Sequence, residues 1–188
     1  MSPLRSLFGR ASGPAPLPYP PTSPEGLAAR WVRWVAAHGP AKNPVRDTTG
    51  EHAGHHQPDD VWFLAGTYGG SVTRRCPVPA GRPLFFPAFN MWQFPVQAGE
   101  VPVVSRATGH AQLNGVPLPP AAVGTMTPFE VRGALGNGVT STPRPTPVAV
   151  WGLWVSLPPL APGAHELTFG GSDGGGFWVE AQYRLVVS

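Results

Sequence analysis

The densest group of residues that could do chemistry in this sequence lies between positions 51 and 60. It holds three histidines and three carboxylates: Glu51, His52, His55, His56, Asp59 and Asp60. Imidazole and carboxylate groups are ligands for Zn²⁺, Fe²⁺ and Cu²⁺. We therefore predict a candidate metal site formed by His52, His55, His56 and Asp60. Such a site would be the centre of a metal-dependent enzyme of the jelly-roll type.

The residues around these histidines indicate a loop. Gly50, Gly54 and Pro58 interrupt the segment, so its histidines cannot share a helical face as the two in HExxH do. A further ligand would have to come from a neighbouring strand, and His110 or His165 could supply it. The alternative is a polar, solvated loop whose histidines cap turns. We favour this alternative.

The tryptophans form the second candidate set. Trp178 falls on the more polar face of the last predicted strand, opposite Phe177. An exposed indole there could stack on a sugar ring or on an apolar ligand. Trp178 and Trp92 are accordingly our candidate ligand-binding residues. The simpler arrangement, which we favour for Trp178, is that the N-terminal helix or the Pro-rich segment covers it.

No other pattern in the sequence amounts to a catalytic signature. Cys76 is the only cysteine, and no histidine pattern accompanies it, so we expect a buried strand cysteine. The Gly-rich segment 172–176 lies between two predicted strands with no helix after it. It is therefore expected to be a hairpin loop and not a phosphate-binding loop. Whether the protein is an enzyme stays open at this point.

Charge and hydropathy restrict the classes of partner. Charged residues make up only 12% of the chain, and the net charge is +3. The arginines are scattered, which argues against a nucleic-acid interface. No run of about 18 apolar residues occurs, so no membrane span is expected. The single cysteine and the lack of a signal-peptide core make a soluble cytoplasmic protein the default expectation, with export still open.

The N-terminal part of the chain divides into a Pro-rich segment and a helix. Residues 1–22 predict a flexible tail or a strap across the domain, and residues 23–188 predict a single β-sandwich domain. Ser23 suits a helix N-cap and Pro24 the first helical position, so we expect a helix over 23–38. Its apolar face carries four residues at helical spacing: Leu27, Trp31, Trp34 and Val35. The helix should therefore pack on a sheet through this face.

Residues 40–60 are expected to form an irregular loop. The chain after this loop has the pattern of short strands. Apolar runs separated by Gly and Pro turn signals predict an all-β fold, mainly antiparallel. The expected architecture is a β-sandwich or jelly roll of about 8–10 short strands, with the one helix packed on it. Asn114–Gly115 predicts a hairpin turn, and Tyr68–Gly70 predicts another hairpin between the segments 61–67 and 71–76.

Three further segments carry specific strand predictions. Segment 148–157, VAVWGLWVSL, is apolar on both faces and should be a central strand covered on both sides. Segment 177–187 alternates between apolar and polar residues, which is typical of a strand with one buried face. Residues 101–105 predict one more short strand, and Pro87 inside an aromatic run indicates a bulge or an edge position.

Several segments resemble an uncharacterised group of small bacterial β-rich proteins. The similar stretches are NPVRDTTG, VWFLAGTYGG, CPVPAGRPLFFPAFN, LPPLAPGAHELTFGG and FWVEAQYRLVV. The resemblance implies the β architecture and carries no activity, cofactor or partner with it.

Two hypotheses of function follow from these patterns. The first is a non-catalytic β-sandwich that binds a protein, a glycan or a small apolar ligand through an aromatic face. The second is the metal-dependent enzyme built on His52, His55 and His56, with Zn, Fe or Cu as its metal.

Overall fold

The computed structural model describes residues 15–97 and 99–188. Its regular elements, in chain order, are α1 (Pro24–Ala36), a 3-10 turn (Pro40–Lys42), β1 (Trp62–Phe63), β2 (Gly70–Val78), β3 (Leu84–Gln93), β4 (Thr108–Leu113), β5 (Val116–Leu118), β6 (Ala121–Gly124), β7 (Phe129–Val131), β8 (Thr146–Leu157), β9 (Gly163–Ser172) and β10 (Trp178–Val187). The predicted all-β sandwich with one helix is confirmed.

The strands form two sheets. The first, which we call the middle sheet, has the order β1-β3-β8-β6, with β7 also paired to β8. The second, the outer sheet, has the order β2-β10-β9-β4-β5. Two pairs are parallel, β1 with β3 and β2 with β10, and the other strand pairs among the described residues are antiparallel.

The helix forms where the capping pattern predicts it. The side chain of Ser23 accepts a hydrogen bond from the Gly26 N–H at 3.1 Å, and Pro24 occupies the first turn. Trp31 and Trp34 are buried against the middle sheet, as their spacing predicts. The layers are therefore helix, middle sheet and outer sheet.

The core divides into two parts because the middle sheet is covered on both faces. On its helix side, Val150 and Trp154 of β8 pack with the helix tryptophans. On its other side, Val155 and Leu157 pack with the outer sheet. The prediction that segment 148–157 is a central, doubly covered strand is confirmed. Covering an apolar strand on both faces is what keeps its aliphatic side chains out of water.

Turn predictions had mixed outcomes. The hairpin across Asn114–Gly115 joins β4 to β5 as expected, and the Gly-rich segment 172–176 joins β9 to β10. The predicted hairpin across Tyr68–Gly70 is wrong, since the strands on its two sides belong to different sheets. Residues 101–105 form no strand. Only long-range pairing reveals that the chain crosses from one sheet to the other at Tyr68.

The end of the Pro-rich segment lies against the helix side of the domain. Leu17 packs on the core between the helix and the middle sheet. The Arg33 guanidinium donates to the Ala15 carbonyl at 2.8 Å. The structure describes the predicted tail or strap (residues 1–22) only from position 15 onward. Among the described residues, no helix is long and apolar enough to cross a membrane.

Candidate functional site

A cleft of about 270 Å³ follows the edge of β3. Six consecutive residues of this strand line it, from Pro87 to Trp92. Side chains alternate between the two faces of a strand, so a wall of six consecutive residues means that the cleft runs along the strand's edge. We call it the edge cleft.

The edge cleft exists because β1 is short. Its two residues pair only with Leu84 and Phe85 of β3. Two further backbone bonds flank this pairing, from the Trp62 N–H to the Pro83 carbonyl and from the Leu64 N–H to the Phe85 carbonyl. The chain then crosses toward the outer sheet through Gly66–Tyr68, which forms the opposite wall of the cleft. From Pro87 onward, the described residues place no strand on this side of β3.

Aromatic side chains dominate the walls. The Trp92 ring lies 6.4 Å from that of Trp31 and 6.4 Å, edge to face, from that of Tyr68. At the outer-sheet end, Phe89 and Phe177 are 6.2 Å apart. These separations are typical of favourable aromatic contacts. The cleft therefore presents several ring faces and edges to anything that enters it.

The mouth of the cleft is apolar and exposed. Tyr68, Met91 and Phe177 line it and are among the exposed large apolar side chains of the described chain. Scattered apolar residues are ordinary on a surface, but a group of them at the entrance of a cleft is typical of a binding site.

The cleft contains few polar groups. None of its lining residues is charged. Five buried side-chain nitrogens in the described part of the chain have no hydrogen-bond partner, and only that of Asn90 belongs to a residue that lines the cleft. A buried donor without a partner costs about 1–3 kcal/mol. Asn90 therefore has hydrogen-bonding capacity that the described protein groups do not use.

A β-bulge shapes the strand beside the cleft. The pairing of β3 with β8 shifts between Pro87 and Phe89, so Ala88 has no partner opposite it. Proline removes a backbone N–H and is tolerated at edges and bulges. The prediction that Pro87 marks a bulge or an edge position is confirmed by this bulge.

A buried arginine fixes the wall opposite β3. Arg74 of β2 is only 2% exposed. Its guanidinium donates to the carbonyls of Val45 (3.2 Å), Asp47 (2.7 Å), Ala65 (2.6 Å) and Gly66 (2.9 Å) and to the Tyr183 hydroxyl (2.8 Å). Val45 and Gly66 line the cleft. These bonds satisfy the buried guanidinium and hold two loops on the outer sheet.

The three histidines of the predicted metal loop do come together, joined by a fourth from the helix end. The ring centres of His52 and His55 are 5.4 Å apart, and that of His38 lies 5.0 Å from His56 and 6.5 Å from His55. We call these four residues the histidine cluster. Asp60 is held elsewhere, because its carboxylate pairs with both terminal nitrogens of Arg30.

His38 is the buried member of the cluster. It is 2% exposed, its Nδ1 is 2.8 Å from the Trp34 carbonyl, and its Nε2 has no hydrogen-bond partner. Burial lowers its pKa, and the charges of His56 and His55 act in the same direction. The Trp34 carbonyl beside Nδ1 opposes this only in part. Burial therefore favours the neutral form of His38 over the charged form.

The loop that carries the other histidines is fixed by hydrogen bonds of its own. The Asp47 carboxylate accepts from the N–H groups of Thr49 (2.8 Å), Gly50 (2.9 Å) and His52 (2.9 Å). Burial would raise the pKa of Asp47, but these donors outweigh it and lower the pKa. The indole of Trp34 donates to the His55 carbonyl at 2.9 Å. Within residues 15–97 and 99–188, no group of three or more His, Cys, Asp or Glu could hold a metal ion.

The two further histidines proposed as ligands are bound on the outer sheet. His110 pairs with Glu180 at 3.0 Å. The Nδ1 of His165 lies 3.0 Å from the Asn114 amide nitrogen, and its Nε2 lies 2.8 Å from the Ala161 carbonyl. Neither contacts the histidine cluster through a described hydrogen bond or ring contact.

The two predicted ligand-binding tryptophans are not brought together. Trp92 lines the edge cleft, whereas Trp178 lies outside it. Trp178 is 51% exposed on the outer sheet, and the helix covers the middle sheet instead. The expectation that the helix covers Trp178 is therefore wrong, and the described part of the Pro-rich segment lies on the helix side of the domain as well. Cys76 is buried, as expected, and burial raises its thiol pKa to about 11.

Three residues that shape these regions were missed at the sequence level. His38 follows Trp34 by four positions, so helical spacing could have placed it beside Trp34. Arg74 has the same parity as Val72, Cys76 and Val78, so the alternation of β2 indicates an inward side chain. Asn90 carried no such signal, because its role depends on where β1 stops pairing with β3.

Comparison of the chain with protein-family models, with characterised proteins and with solved structures finds no match.

Proposed function

We propose that this protein is a non-catalytic β-sandwich that binds a small apolar ligand in the edge cleft. The observation that carries the proposal is the cleft itself, an aromatic-walled space of about 270 Å³ with no charged lining residue and an apolar rim. Small-molecule sites are typically concave, largely apolar and equipped with few polar groups. The volume lies just below the range for drug-sized ligands, so the ligand is small.

The cleft favours a small molecule over the other partners considered from the sequence. A protein or glycan partner would need a broader surface, and the exposed Trp178 does not line the cleft. The metal-dependent alternative gains no support, because Asp60 is paired with Arg30 and the histidine cluster offers no arrangement of metal ligands.

Titration with N-phenyl-1-naphthylamine, a neutral apolar dye that fluoresces in apolar surroundings, tests the proposal. We expect Trp92→Ala to weaken dye binding at least about tenfold, because the dye loses contact with a large aromatic wall. Trp178→Ala is the matched control, since it removes an exposed indole outside the cleft, and it should bind as the wild type does. Tyr68→Ala, at the exposed mouth, provides a second cleft variant that does not disturb the core.

Each contrary outcome is informative. No dye binding by the folded wild type, or equal binding by the wild type and both cleft variants, would overturn the proposal. A loss of binding confined to Trp178→Ala would also overturn it and would place the ligand on the outer sheet.

A further inference from the structure

We infer that the ligand of the edge cleft is an uncharged planar molecule with adjacent amide N–H and C=O groups, such as a lactam fused to an aromatic ring. This inference rests on the proposed function and assigns the chemical class of its ligand. Three features of the cleft carry it: the absence of charge in the lining, the arrangement of rings, and unused hydrogen-bonding groups along one wall.

The lining selects against charged ligands. None of the thirteen lining residues is ionic at neutral pH. Arg46 lies beside the rim, with its guanidinium carbon 5.8 Å from the Tyr68 ring centre, but it does not line the cleft. A charged ligand would lose its hydration without gaining a counter-charge, which is costly. The ligand is therefore neutral.

The rings select for planarity. Trp31, Trp92 and Tyr68 meet at 45° and 81° around one end of the cleft, and Phe89 and Phe177 meet at 63° at the other. Tilted and edge-to-face rings leave both faces and edges available to a flat aromatic guest. A flat guest also loses little conformational entropy on binding.

One wall offers hydrogen bonds that the protein leaves unused. The Asn90 Nδ2 is a buried donor without a partner. Beyond Phe85, the described residues place no backbone partner on the free side of β3. Residues along a free strand edge present N–H and C=O groups outward in alternation. A ligand with its own N–H and C=O can pair with this edge as an added strand would.

The size of the cleft separates a small amide from a peptide. An extended peptide that pairs along an edge needs space for several residues, each about 3.3 Å long. The cleft encloses about 270 Å³, and Pro87 and the bulge at Ala88 interrupt the edge at one end. Bulges and prolines are devices that prevent strand addition. The edge therefore suits a compact cyclic amide.

Three probes of similar shape test the inference by displacement of N-phenyl-1-naphthylamine. They are 2-quinolone, with both amide groups, N-methyl-2-quinolone, with the carbonyl only, and 1-methylnaphthalene, with neither. We expect 2-quinolone to bind about three- to tenfold more tightly than N-methyl-2-quinolone, and the latter to exceed 1-methylnaphthalene by a similar factor. These factors correspond to one net hydrogen bond at each step.

Variants assign the carbonyl contact. Asn90→Leu should remove the advantage of N-methyl-2-quinolone over 1-methylnaphthalene, measured as the ratio of the two affinities on the same variant. Gln93→Leu is the matched control, because Gln93 is an exposed amide on the same strand outside the lining. It should keep the wild-type order of the probes.

The outcomes distinguish this inference from the proposed function. If the dye does not bind in the cleft, the proposed function fails first. If the dye binds there but the wild type prefers neither quinolone to 1-methylnaphthalene, the inference alone is overturned. The comparison of probes on the wild-type protein requires no variant to fold. A preference that survives Asn90→Leu would overturn the assignment of Asn90 as the donor.

Discussion

The helix contacts both the edge cleft and the histidine cluster, through Trp31 and Trp34 respectively. Trp31 lines the cleft and donates its indole N–H to the Leu64 carbonyl at 2.8 Å. Trp34 donates to the His55 carbonyl in the histidine cluster. The cluster is the richer region in reactive side-chain types, and the cleft is the poorer one. Each region holds one buried nitrogen without a partner, the Nε2 of His38 and the Nδ2 of Asn90, and the cleft combines its nitrogen with an enclosed space and an apolar mouth.

The difference shows that reactive residue types alone do not define a site. Asp47, Trp34 and Arg30 tie the histidine loop and its carboxylate to the protein's own groups. The cleft instead keeps a free strand edge and the Asn90 amide without partners. A region can bind a ligand only through hydrogen-bonding groups that the folded protein does not already pair with its own groups.

Arg74→Met should give the largest effect, since Arg74 supports both regions. The change leaves the carbonyls of Val45 and Gly66 beside the cleft, and that of Asp47 at the start of the histidine loop, without their buried donor. We expect the free energy of unfolding to fall by about 3–5 kcal/mol. Urea denaturation followed by tryptophan fluorescence measures it.

Arg75→Met is the matched control for this change. Arg75 is the next residue of β2 and is exposed on the other face of the outer sheet, so its loss should cost less than about 0.5 kcal/mol. Equal destabilisation by the two variants would contradict the role given to Arg74 in joining the two regions.

Gly152→Ala should affect the cleft without touching the histidine cluster. A Cβ at this position would lie 2.6 Å from the Phe89 carbonyl oxygen, 2.8 Å from the Asn90 Cβ and 2.8 Å from the Trp154 Nε1. Backbone contacts cannot move aside easily, so we expect a loss of about 1–3 kcal/mol from overpacking. Dye and quinolone binding should weaken as well, because β3 is the wall that shifts.

Gly66→Ala separates this steric effect from the loss of a glycine. Gly66 also lines the cleft, but an added Cβ there would meet nothing within 4 Å. Its stability should stay within about 0.5 kcal/mol of the wild type. Destabilisation by Gly66→Ala as large as by Gly152→Ala would mean that packing against β3 is not the cause.

The sequence predicts the elements of this fold better than it predicts the cleft. Helix capping at Ser23 and the apolar segment 148–157 depend on local pattern, and both are confirmed. The hairpin at Tyr68–Gly70 failed because a turn signal does not say which strand its neighbours pair with. The cleft arises from that same crossing between sheets, so the error in the hairpin also hid the site.

The predicted ligand-binding and metal-binding residues were also only partly placed by sequence pattern. The parity of Trp178 correctly placed it on the face opposite Val179, but parity does not say which sheet the helix covers. Trp92 was singled out without its partners Trp31 and Tyr68, which join it only through tertiary packing. The clustering of His52, His55 and His56 follows from their proximity in sequence, whereas the engagement of Asp60 by Arg30 does not.

The smallest expected effect concerns the pH dependence of the histidine cluster, which the uncharged cleft should not share. Burial lowers the pKa of His38 below its ordinary value of 6.5, so the unfolded chain binds a proton more readily than the folded one. The contribution of the neutral His38 to stability is therefore fully present above about pH 7. It is lost as the pH falls from 6.5 to the lower folded pKa. Urea denaturation from pH 8 to pH 5 should show a smaller fall for His38→Gln than for the wild type. His110→Gln, on the exposed face of the outer sheet, is the matched control and should retain the fall. An unchanged pH dependence in His38→Gln would contradict the coupling of stability to pH through the buried His38.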